Sequence, residues 1–162
     1  MSQTSRTVSK VFAVVMAAAA AVGAHGQQVR AEQTPGMLAT VGVPAGWQVE
    51  YDSSGDSTVM LEPNRNQVVL FGWYAADPAE AVRNLLAELG GQAYFDAIRP
   101  VRFAGFSGAE AQIDAGTGSR DWFLALERDG ALLGVWAKTA ETFAALSPTL
   151  AALVSRTTIA PA

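Results

Sequence analysis

The sequence predicts an α+β fold: a central antiparallel sheet of about six strands with two main helices packed on it. Three observations carry this expectation. Asp77-Pro78-Ala79-Glu80 opens an apolar stripe of Val82, Leu85, Leu86 and Leu89, which Gly90-Gly91 closes. Alternating apolar segments flank that stripe on both sides, two of them joined by Asp129-Gly130. Near the C-terminus, Phe143, Leu146, Leu150, Leu153 and Val154 repeat at helical spacing.

Residues 1–26 read as a secretory signal peptide. Arg6 and Lys10 give the charged start, Val11–Ala24 is an apolar run, and small residues near Ala24 or Gly26 suit cleavage. The run has 14 residues, short of the ~20 that cross a bilayer as a helix. No stable membrane insertion is expected after cleavage. Residues 27–36 read as a flexible linker, and 37–160 as a single α+β domain.

Within that domain, Met37–Val43 reads as a strand stopped by the turn Pro44-Ala45-Gly46. Trp47–Tyr51 alternates apolar and polar residues, as a half-buried strand does. Thr58–Glu62 and Gln67–Tyr74 are two more strands around Pro63-Asn64-Arg65-Asn66. The run Val68-Val69-Leu70-Phe71 is apolar on successive residues, which predicts cover on both faces. A helix follows, because Asp77 can cap free amides and Pro78 suits the first helical position. Ile98–Phe103, the alternating stretch around Ala109–Asp114, Asp121–Arg128 and Ala131–Lys138 are the returning strands. Asp129-Gly130 suits a two-residue hairpin turn, whose central positions need positive φ. Leu133, Val135 and Ala137 then share one face, with Leu132, Trp136 and Lys138 on the other. Likewise Trp122, Leu124 and Leu126 oppose Phe123, Ala125 and Glu127. Pro148 predicts either a kink in the last helix or a new helix capped by Ser147. Thr157–Ile159 reads as a short final strand.

The only histidine is His25, at the expected cleavage site, and cysteine is absent. The body beyond the leader therefore has neither imidazole nor thiol for catalysis, metal ligation or disulfides. The chain has 11 basic and 15 acidic residues; with Arg6 and Lys10 in the leader, nine face fifteen and the body carries a net charge of −6. That balance disfavours nucleic acid as a partner, because a phosphate backbone demands basic residues.

The motifs that resemble sites lack their context. Gly105-Phe106-Ser107-Gly108 starts like a nucleophile elbow, but Ala109 replaces the last glycine and no helix follows. It reads as a turn between strands. Lys138 is the single lysine after the leader and the only candidate for a serine–lysine pair. Glu110 and Asp114 share a strand face but stand ~13 Å apart at ~3.3 Å per residue, beyond the ~5–9 Å of a glycosidase pair. Asp52–Ser57 has its glycine at the wrong place for a calcium loop. Gly116 and Gly118 open no helix after a strand, so they make no phosphate cradle. The sequence thus offers no catalytic, cofactor-binding or metal-binding residues, and no cofactor is expected.

What remains is aromatic. The last strands carry large apolar groups on both faces, which fits either a sheet with a helix on one or both faces or a partly open patch built from some of Trp73, Tyr74, Phe123 and Trp136.

Three segments carry a family resemblance: Val43-Pro44-Ala45-Gly46-Trp47, Gly105-Phe106-Ser107-Gly108-Ala109-Glu110-Ala111 and Arg128-Asp129-Gly130. With the order of elements over 37–159, they resemble the PsbP-like α/β/α sandwich. The resemblance implies a small accessory or binding domain and carries over no catalytic residue. The expectation is an exported, non-enzymatic accessory domain of the cell envelope, periplasmic or secreted, that binds an envelope protein partner or a small apolar ligand. The alternatives are a hydrolase using carboxylates or a Ser/Lys pair, and a secreted inhibitor or immunity-type protein.

Overall fold

A computed structural model of the chain describes residues 28–34, 36–52, 56–74 and 77–161. The leader and its cleavage site lie outside the described residues. Among those described, no helix is long and apolar enough to cross a membrane.

The fold is α+β, with two antiparallel sheets and two main helices. The strands are β1 (Val29–Gln33), β2 (Leu38–Pro44), β3 (Gln48–Asp52), β4 (Ser57–Glu62) and β5 (Asn66–Trp73) before the first helix, α1 (Pro78–Glu88). A 3-10 turn at Gln92–Ala97 leads to β6 (Arg99–Phe103), β7 (Phe106–Asp114), β8 (Arg120–Arg128) and β9 (Ala131–Thr139). Helix α2 (Phe143–Ser155) and β10 (Thr158–Ile159) complete the order. The large sheet has seven strands, ordered β3-β4-β5-β9-β8-β7-β6, and the small one has three, β1-β2-β10. One more strand than expected joins the main sheet. Val29–Gln33, expected within a flexible linker, pairs along β2 from Val29 opposite Pro44 to Gln33 opposite Thr40. Its sequence is mostly polar, so backbone pairing with the strand that follows makes it a strand.

Each helix starts where its cap dictates. The Asp77 carboxylate accepts from the Glu80 amide at 3.1 Å, Pro78 occupies the first turn, and Gly90 closes α1 at φ +76°. The Thr142 hydroxyl accepts from the Ala145 amide and starts α2, which runs through Pro148 as one helix. Thr142, not Ser147, is therefore the cap.

The register separates two cores. On one face Met60, Val68, Leu70, Trp122, Leu124, Leu133 and Val135 meet α2 and β2. Contact there is close: a Cβ on Gly42 would stand 2.3 Å from the Leu153 carbonyl oxygen, so only glycine lets β2 pass under α2. Arg128 ties the far end together, donating to the carbonyls of Val154 and Thr157. On the other face α1 lays Ala81, Val82 and Leu86 over Ala109, Ala111, Ile113, Phe123 and Ala125. Its packing is with β7 and β8. Small alanines floor the sheet there, which lets a helix approach closely.

Candidate ligand-docking face

The face under α1 continues across β9, β5 and β4. One row of register partners runs Glu50, Val59, Val69, Trp136, Phe123 and Ala111. The α1 side of that row is buried, with Phe123 only 3% exposed. The other side is not. Val59, Leu61, Val69 and Phe71 are half-buried and belong to neither core. The expectation that the 68–71 run is covered on both faces fails here. Val68 and Leu70 are sealed under α2 and β2, while Val69 and Phe71 stay partly open. Alternation along β5 sends them outward, and α1 sits two strands away.

Aromatic contacts hold this open half in shape. Trp136 stacks on Phe123 at 5.8 Å between centroids, with the planes 14° apart. Its Nε1 donates to Asp121 Oδ1 at 3.0 Å, which fixes the indole at the boundary between covered and open halves. Phe71 and Trp73 meet edge to face at 4.7 Å. Both rings lie against Gly134, where a Cβ would come within 2.6 Å of Phe71 and 2.7 Å of Trp73. Gly134 thus makes the bed in which the two rings lie.

Of the four patch residues predicted, Trp73, Phe123 and Trp136 share this face. Tyr74 lies apart: it is 44% exposed and donates to the Ala160 carbonyl at 3.3 Å. Phe123 supports the face from beneath α1 and does not present a surface. Val59, Leu61, Val69, Phe71 and Gly134 were not in the predicted patch. Their signal was present in the double-sided apolar run and in a glycine inside an otherwise apolar strand.

At the foot of the face a groove of about 380 Å³ is lined by Leu61, Arg65, Gln67, Ser119 and Lys138 among others. Lys138 is exposed and has no hydrogen-bond or ion-pair partner among the described residues. Ser119 shares the groove, without a hydrogen bond to Lys138. Ser107 lies at the far end of the sheet, about 20 Å away at ~3.3 Å per residue.

The carboxylates weighed for chemistry are engaged structurally. Glu110 is 4% exposed and accepts from Trp122 Nε1 and Arg99 Nε, each at 2.8 Å. Asp114 accepts from the Gly116 amide at 2.9 Å and from Arg120 Nε at 2.9 Å. The Gly116 amide, with Arg120 as a further contributor, holds its carboxyl below the usual range. Among the described residues no three acidic, histidine or cysteine side chains group as metal ligands.

No family model matches the chain, and no curated protein matches it. Solved structures do. A protein from Bacteroides thetaiotaomicron VPI-5482 superposes with a TM-score of 0.52 at 12% identity, over 79% of this chain and 50% of that one. The likeness is one of fold. The chain spans half the length of that protein. LpqN, described as involved in cell envelope biogenesis of Mycobacterium tuberculosis, superposes more loosely, with a TM-score of 0.41 at 16% identity over 88% of this chain and 96% of LpqN.

Proposed function

We propose that the chain is an exported, non-enzymatic binding domain of the cell envelope, whose docking surface is the open half of the large sheet. The observation that carries this reading is the set Val59, Leu61, Val69 and Phe71, half-buried on a sheet face yet part of neither core. Apolar side chains kept at a surface beside a helix that covers only part of the sheet are the mark of an interaction site. The leader pattern supports export, and the absence of histidine and cysteine beyond it supports a non-catalytic role. The order of elements that resembles PsbP-like domains supports an accessory role. The occupant is a small apolar ligand or a protein partner.

Site-directed photo-crosslinking in expressing cells tests this. A crosslinking side chain at Val69 captures a discrete adduct, whereas one at Glu88, exposed on α1, captures none. Equal labelling at both positions, or none at Val69, overturns the docking assignment. N-terminal sequencing of the exported protein tests the leader: a start near His25 or Gln27 is expected, and an intact Met1 refutes cleavage there.

A further inference from the structure

We propose that the open face binds a single-chain amphiphile with an anionic head, a fatty-acid-like carboxylate with its tail on Val69 and Phe71 and its head at Lys138. This rests on the docking reading above and names its occupant. The first argument is continuity. On this face β9 runs from Leu132 past Gly134 and Trp136 to Lys138, about 20 Å at ~3.3 Å per residue. Val69 and Phe71 flank it on β5, opposite Trp136 and Gly134. The apolar strip therefore leads directly to the groove of about 380 Å³, where Leu61 supplies an apolar wall.

The second argument is charge. Arg65, Glu62 and Glu141 at that end are paired with one another, while Lys138 has no hydrogen-bond or ion-pair partner among the described residues. Arg65 donates to Glu141 at 2.6 Å, and Asn66 Nδ2 donates to both Glu62 and Glu141. Asp121 stands opposite Lys138 in register and is the one acidic side chain facing it there; its Oδ1 is turned to the Trp136 indole and makes no ion pair with the lysine. A lone ammonium at the end of an apolar strip is complementary to an anionic head on an apolar tail, because charge-assisted hydrogen bonds to a carboxylate are strong and directional. A single molecule fits better than a bilayer surface, since a body of net charge −6 is repelled by anionic lipid.

Calorimetry on the exported protein, with dodecanoate below its micelle concentration and 1-dodecanol as the neutral probe, tests the proposal. Saturable one-to-one binding of dodecanoate is expected, with a shift in tryptophan emission from Trp136. Lys138→Ala weakens dodecanoate by roughly tenfold, the scale of one charge-assisted hydrogen bond, and leaves 1-dodecanol unchanged. Lys138→Arg restores the acid, and Val69→Asp abolishes both. If acid and alcohol bind equally and Lys138→Ala changes neither, the anionic head is overturned while apolar docking stands. If neither probe binds but Val69 crosslinks a protein, the amphiphile is overturned and the docking face stands. Binding only to anionic vesicles, and not to monomeric dodecanoate, overturns it in favour of a membrane surface.

Discussion

Trp136 stacks on Phe123 at 5.8 Å, with one ring half-exposed and the other buried beneath α1. That pair marks the line at which the helix stops covering the sheet. Removing the outer ring should loosen both halves. Trp136→Ala is expected to destabilise the domain by about 3 kcal/mol, the low end for deleting a large aromatic side chain, because this indole is only half-buried. Urea denaturation of the purified domain measures it. A loss under about 1 kcal/mol, the range of ordinary surface changes, would place the indole outside the packed structure.

Gly134 is the second determinant of that surface. Adding a methyl group there collides with the Phe71 and Trp73 rings. These are side chains at the edge of an open face, so they can move outward. Gly134→Ala should therefore fold, cost about 1–3 kcal/mol as an overpacked site, and alter dodecanoate binding. An unchanged affinity would mean the rings do not shape the binding surface.

Arg128 acts on the opposite face. Its guanidinium lies 3.9 Å from the Phe106 ring centroid and donates to the Val154 and Thr157 carbonyls where α2 ends. Burial pushes the guanidinium below its usual value, with Asp129 acting in the other direction. Arg128→Met should destabilise by about 2–4 kcal/mol, because two buried carbonyls lose their donor. Hydrogen exchange should show faster opening of β10 than of β8. Uniform protection would show that the C-terminal segment holds without this residue.

Glu110 separates a hydrogen bond from a charge. Glu110→Gln keeps an acceptor for Trp122 Nε1 and loses only the ion pair to Arg99, whose side chain is 62% exposed. Glu110 is buried but the Arg99 guanidinium stays largely in water and can be solvated without its partner, so the expected loss is about 1 kcal/mol. Glu110→Ala strands the buried indole N–H and should cost about 1–3 kcal/mol. Thermal melts of the two variants decide it, and equal losses would refute the distinction.

Asp114 gives a pH signature. Its folded pKa is lowered, so its contribution to stability is present above the ordinary carboxylate value of about 3.9 and is lost as pH falls through the folded value. The Gly116 amide is the largest single cause, and Arg120 adds to it through its charge and its hydrogen bond. NMR titration of Arg120→Ala should move the midpoint only part of the way up. Full return to the ordinary range would make the guanidinium the main cause.

Much of this was legible because it depends on near neighbours. Asp77, Pro78 and Gly90 mark the ends of α1 through their own backbone and side-chain chemistry. Asp129 and Gly130 adopt φ of 49° and 79°, the left-handed turn the dipeptide favours. Alternation alone assigned the two faces of β8 and β9, since the side-chain period of a strand is two. Phe123 and Trp136 followed from it. Tyr74 did not join them, because it directly follows Trp73, and adjacent residues of a strand point to opposite faces.

Tertiary structure alone decided what covers each face. The run at 68–71 is apolar on both sides, yet only Val68 and Leu70 reach a core. Which strands lie beneath α1 depends on the order β3-β4-β5-β9-β8-β7-β6, in which the pairing of β5 with β9 joins segments far apart in sequence. The alanines at 109, 111 and 125 then offer α1 a close approach that Val69 and Phe71 do not. Local sequence fixes which way a side chain points. Only long-range packing determines whether anything is there to meet it.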